Sequence, residues 1–96
     1  MTDIRNFLDK SGRIKIWPAK QEKKKAVLQY LCDKFEPGRI YSEPEVNAII
    51  IEWHTFNDLF ILRRGMADMG LLARTKNGSQ YWREKNRTKV EYYDGE

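Results

Sequence analysis

Residues 41–69 read YSEPEVNAIIIEWHTFNDLFILRRGMADM, and this stretch decides the fold. Ser42 stands where a helix N-cap belongs, with Glu45 three residues on, the pairing of a capping box. Tyr41 before the cap and Val46 after it supply the hydrophobic staple. Pro44 falls in the first turn, where its missing N–H costs nothing. Val46, Ile49, Ile50 and Trp53 recur at helical spacing, so the pattern predicts a helix to about Trp53. His54-Thr55-Phe56 then makes a short turn. Thr55 or Asn57 caps a third main helix reaching about Met69, with Leu59, Leu62, Met66 and Met69 as its buried stripe and Gly70 as its C′ residue. Two helices joined this closely have helix-turn-helix dimensions.

Working outward toward the C-terminus, residues 71–83 read LLARTKNGSQYWR. Asn77-Gly78 between two apolar-containing runs is the strongest short-range sign of a hairpin with a type I′ turn. Pairing Lys76 with Ser79 sets Arg74 opposite Tyr81, Leu72 opposite Arg83, and Ala73 beside Trp82 on the other face. Toward the N-terminus, a first main helix is expected from about Lys20 to Phe35, with Val27, Leu28, Leu31 and Phe35 on one stripe. Its first turn holds Lys23, Lys24 and Lys25, which oppose the helix macrodipole. Glu36-Pro37-Gly38 stops it, and Arg39-Ile40-Tyr41 has room for a very short strand. Arg13-Ile14-Lys15-Ile16-Trp17 alternates as a strand, and a short helix is expected over residues 2–10.

This order of elements predicts an α+β, winged-helix-like domain. It comprises three main helices, an N-terminal helix over 2–10, a core over 12–85 with a C-terminal β-hairpin wing, and an acidic tail over 88–96 that frays. The chain is 96 residues long, 41% hydrophobic and 33% charged, which supports a single domain over 1–96. No apolar run approaches a membrane span, and no signal peptide is expected at the N-terminus. The lone Cys32 excludes an internal disulfide and a cysteine-rich zinc site, so a cytoplasmic location is expected.

The net charge of +4 is unevenly laid out. Residues 13–25 carry six basic side chains against one acidic, and residues 26–62 carry two against six. Residues 63–87 carry seven basic against two acidic. Two basic blocks around an acidic middle are the kind of footprint that nucleic acid requires, although a solvated surface has the same composition.

Residues 12–83 also resemble a bacterial family of unknown function that occurs alone or behind helix-turn-helix domains of transcriptional regulators. The resemblance lies in Gly12-Arg13-Ile14-Lys15 with Trp17-Pro18, in Phe35-Glu36-Pro37-Gly38-Arg39 with Tyr41-Ser42, and in Glu45-Val46-Asn47. It continues through Trp53-His54-Thr55-Phe56, Asp58, Leu62-Arg63-Arg64, Asp68 with Gly70, and Gly78 with Tyr81-Trp82. It implies a link to regulation and carries no established activity and no catalytic residues. Gly65 departs from expectation, since a glycine inside a helix costs about 1 kcal/mol relative to alanine.

The leading functional expectation is a non-enzymatic domain that binds duplex DNA. Arg64 on the third main helix would face a groove, and Arg74 and Lys76 on the wing would meet phosphates, with Arg83 nearby. Lys24 and Lys25 would add phosphate contacts, and Asn57 would read an adenine edge. The plainer readings are an Arg64–Asp68 surface pair and a hairpin with charged edges. Arg63, at the edge of the buried stripe, needs an acidic partner such as Glu52 or Asp58. Asp58 and Asp68 put negative charge on the helix that would face DNA. They favour the alternative, a protein-interaction or homodimerisation module. His54 is read as a turn histidine bonded to backbone or Asp58 rather than a metal ligand, because two residues do not complete a site. Cys32 is read as a core residue. No metal, cofactor or catalytic residue is assigned.

Overall fold

The computed structural model describes residues 2–84 and the backbone of Tyr92 and Tyr93. Among the described residues it is an α+β fold of three α-helices and two small sheets. In chain order the elements are β1 (Thr2–Asp3), a 3-10 turn (Arg5–Phe7), α1 (Gln21–Cys32), α2 (Glu43–Glu52) and α3 (Leu59–Asp68). The strands β2 (Leu72–Arg74), β3 (Tyr81–Arg83) and β4 (Tyr92–Tyr93) follow.

Helix α2 begins as its sequence dictates. The Glu45 N–H donates to Ser42 Oγ at 3.3 Å, and the Ser42 N–H donates back to Glu45 Oε1 at 2.8 Å. Two donors that the first helical turn leaves orphaned are satisfied at once. The Ser42 backbone N–H, and after it the Ser42 hydroxyl, hold the Glu45 carboxyl below the usual glutamate range.

The turn from α2 to α3 is fastened by four residues. His54 is buried, with Nδ1 2.6 Å from the Ile50 carbonyl, while its Nε2 accepts from the Asp58 N–H at 3.0 Å. A neutral ring protonated on Nδ1 satisfies both contacts. Arg13 donates from Nε to the Glu52 carbonyl and from Nη2 to the His54 carbonyl, capping the last turn of α2. Ile14 donates to the Trp53 carbonyl and accepts from the Thr55 N–H. Asp58 caps α3 by accepting from the Ile61 N–H at 3.3 Å. The cap is therefore Asp58, not Thr55 or Asn57, and the helix starts at Leu59. Asn57 sits at φ 55°, in the left-handed region, and so lies outside the helix.

Helix α1 lays Val27, Leu28 and Leu31 into the core against Leu62 and Met66 of α3. Gly65 is the point of closest approach. A Cβ there would lie 2.8 Å from Leu28 Cδ1 and 3.2 Å from Cδ2. The glycine that weakens α3 as an isolated helix is what lets Leu28 seat against it.

The hairpin register is the expected one, with Leu72 opposite Arg83, Ala73 opposite Trp82 and Arg74 opposite Tyr81. The turn differs. Thr75 pairs with Gln80, and the Gly78 N–H donates to the Thr75 carbonyl at 3.0 Å, leaving a loop of Lys76, Asn77, Gly78 and Ser79. Gly78 has φ 71°, whereas Asn77 does not take a positive φ, so a type I′ turn does not form. Asn77 Oδ1 instead accepts from the Ser79 N–H and the Thr75 hydroxyl, holding the loop through its side chain. The strand expected at Arg39–Tyr41 contracts to one bridge, Tyr41 to Tyr81, with both backbone bonds at 2.8 Å.

The N-terminal helix expected over 2–10 is replaced by β1 and a single 3-10 turn, with Leu8 bridging to Ile14. A stripe of only Ile4, Phe7 and Leu8 is too short to repay helix nucleation, and Ile4 and Leu8 are buried from an irregular backbone instead. The strand expected over 13–17 is likewise reduced to bridges at Ile14. Part of the tail expected to fray, Tyr92–Tyr93, pairs in parallel with Thr2–Asp3. The rest of residues 88–96 lies outside the described residues.

Two outcomes test these local arguments. Ser42→Ala lowers stability by about 1 kcal/mol in denaturant unfolding. The Glu45 carboxyl in the wild-type protein titrates below the ordinary glutamate value and moves back toward it in that variant, followed by NMR. The sign follows from the depressed value: the contribution is present above the ordinary glutamate range and lost as pH falls through the folded one. Gly65→Ala lowers stability by about 1 kcal/mol, an overpacking cost of about 1–3 kcal/mol outweighing a propensity gain of about 1 kcal/mol. A more stable Gly65→Ala protein would show that Leu28 has room to yield.

Candidate functional site

Helix α3 buries Leu62 and Met66 and turns Phe60, Arg64 and Asp68 outward. Phe60 is 68% exposed. Arg64 Nε lies 3.6 Å from Asp68 Oδ2, with the two side chains 84% and 70% exposed. This is the surface pair anticipated from their i, i+4 spacing. Arg63 is only 17% exposed. It donates from Nη1 to Asn47 Oδ1 at 2.6 Å, lies 3.6 Å from Glu43 Oε1, and packs its guanidinium 5.1 Å from the centre of the Phe60 ring. Its partners are thus on the first half of α2, not Glu52 or Asp58. Glu52 stands at the far end of α2, and Asp58 is engaged as the α3 cap.

A cleft of about 470 Å³ runs between α3 and the hairpin, lined by Arg63, Arg64 and Asp68 on one side and Arg74 and Tyr81 on the other. Glu43 completes it. Tyr81 OH donates to Glu43 Oε1 at 3.3 Å. The position a Cβ on Gly78 would take is 3.6 Å from Arg74 Nη1, 3.8 Å from Tyr81 OH and 4.0 Å from Glu43 Oε1. Three guanidinium groups therefore converge on a pocket that already holds two carboxylates.

The residues expected to contact DNA divide into three places. Arg64 and Arg74 share the cleft, and Lys76 is exposed on the adjoining hairpin loop. Asn57 lies instead in a separate hollow of about 530 Å³ with Arg13, Ile51, His54 and Phe60. Lys24 and Lys25 are on the first turns of α1, where Lys24 Nζ sits 5.7 Å from the centre of the Trp17 ring and Lys25 is exposed. Arg83, expected to join the wing contacts, turns away to donate to the Phe35 carbonyl at 2.8 Å and to pair with Asp33 at 3.5 Å.

Glu43 and Tyr81 were not among the expected site residues. Tyr81 was legible as the cross-strand partner of Arg74, but nothing local joins Glu43 to either residue, because that contact depends on the packing of α2 against the hairpin. His54 is taken up by the α2–α3 turn. Cys32 is buried, with Sγ 3.3 Å from the Leu71 carbonyl. Among the described residues no three His, Cys, Asp or Glu side chains converge to hold a metal ion, and no helix is long and apolar enough to cross a membrane.

No curated protein and no solved structure matches the chain. A family does. Residues 13–83 match the one described as uncharacterized protein conserved in bacteria (DUF2087), and since that span covers well over half of the 96 residues, the chain belongs to this family.

Proposed function

We propose that this chain is a non-enzymatic DNA-binding domain of a bacterial regulatory system, with α2, the turn and α3 acting as a helix-turn-helix and the hairpin as a basic wing. The observation that carries this reading is the cleft lined by Arg64 of α3 on one side and Arg74 of the hairpin on the other, with Lys76 on the loop beyond. A helix and a hairpin that present arginines to one opening suit a groove flanked by phosphates. Lys24 and Lys25 would meet phosphates farther along the duplex, and Asn57, ahead of α3, would face a base edge. Asp58 weighs less against this reading than its sequence position suggests, because its carboxylate is spent on capping α3.

A second reading rests on a different observation. Phe60 and Ile51 are 68% and 56% exposed and border the same hollow. Large apolar side chains side by side at a surface favour a protein partner or a second copy of the chain.

The test is a gel-shift titration of duplex DNA at low ionic strength. The expected outcome is a salt-sensitive complex whose log affinity falls with log salt by about 0.9 for each phosphate contacted. No complex at low salt would overturn the DNA reading. Sedimentation of the free protein addresses the second: a dimer that buries residues 57–69 would remove the surface needed to enter a groove.

A further inference from the structure

We infer that the cleft between α3 and the hairpin is a phosphate-binding site whose arginines are held in check by two of the protein's own carboxylates, Asp68 and Glu43. It rests on the DNA-binding reading for its ligand when that ligand is a backbone phosphodiester. The same chemistry would also accept a free phosphate compound.

A guanidinium recognises a carboxylate and a phosphate through the same planar array of donors. What matters is how firmly the internal acid is held. A strong charge-assisted contact closes to about 2.7–2.9 Å and is often two-pronged. Here the closest approach of Arg64 to Asp68 is 3.6 Å, and that of Arg63 to Glu43 is also 3.6 Å, both longer than a strong charge-assisted contact. The first pair is largely in solvent, where such contacts contribute little and are readily exchanged.

The other groups in the cleft are set as a receptor would need them. Arg63 is anchored by its 2.6 Å bond to Asn47 and by the Phe60 ring, so its charge stays in place when Glu43 is outcompeted. Arg74 has no hydrogen bond or ion pair among the described residues. It stands across the strand pair from Tyr81, whose hydroxyl is engaged by Glu43. An incoming phosphate would find Arg74 uncommitted and Arg64 loosely committed, with Tyr81 as a further donor once Glu43 yields. Asp68 and Glu43 therefore set a threshold. They offset two of the three guanidinium charges in the free protein and are displaced by a ligand that bears more charge and more acceptor oxygens than a carboxylate.

The experiment compares wild type with Asp68→Asn, Arg64→Ala and Arg74→Ala. All three positions are exposed, and unchanged melting temperatures confirm intact folds. Each protein is titrated with a labelled mixed-sequence duplex by fluorescence anisotropy over a range of salt. Each is also titrated with inorganic phosphate by NMR, following the Gly78 amide and the arginine side-chain N–H signals. Asp68→Asn is expected to tighten duplex binding about two- to fivefold, the scale on which an exposed ion pair competes. Arg64→Ala and Arg74→Ala are expected to weaken it and to reduce the salt slope by about 1 each.

If the duplex binds wild type and none of the three variants changes the affinity, the cleft inference is overturned while DNA binding stands on the lysines. If no duplex binds but phosphate shifts the cleft signals, more strongly in Asp68→Asn, the site stands with a free phosphate compound as its ligand and the DNA reading falls. If neither ligand binds, both are overturned.

Discussion

The orientation of α3 depends on one neutral imidazole. His54 spans the end of α2 and the start of α3, with one ring nitrogen on the Ile50 carbonyl and the other under the Asp58 N–H. A helix end buried without partners would be costly, and here a single side chain serves both ends at once. Arg13 and Ile14 reinforce the joint from a distant part of the chain. Everything on the outer face of α3, including Arg64 and its place opposite the hairpin, inherits its position from this joint. The Gly65–Leu28 contact then sets how closely α3 lies on α1.

Much of this was legible because the signals were local. The capping box at Ser42 and Glu45, the apolar stripes of α1, α2 and α3, and the hairpin register each depend on residues a few positions apart. Where the sequence misled, a contact outside the pattern being read had overridden it. Gly65 reads as a weak spot in a helix and is a packing site for Leu28. Asn77-Gly78 reads as a mirror-image turn, but the Asn77 side chain closes a different loop. The N-terminal segment reads as a helix, yet Ile4 and Leu8 gain more by filling the core from an irregular backbone.

The candidate site divides in the same way. Arg64, Arg74 and Lys76 could be named from charge and from the order of elements. Their relation to Glu43 and Arg63 could not, because the relevant neighbours come from three separate elements. Arg83 shows the reverse error: it belongs to a basic run in sequence, but its guanidinium is consumed in tying β3 to Phe35 and Asp33 at the end of α1. Net charge by block is thus a poor guide to available charge, since partners are chosen by tertiary packing.

The parallel pairing of Thr2–Asp3 with Tyr92–Tyr93 has a kinetic side. It closes a loop that contains nearly the whole chain, and it contributes only two residue pairs in return. Loop-closure entropy makes such a contact unfavourable until the intervening chain is already compact. The hairpin and the α2–α3 joint close short loops and can form early. This pairing belongs to the last step of folding and to the first step of local opening, so the amides of Thr2, Asp3, Tyr92 and Tyr93 would exchange their protons long before the core releases its own.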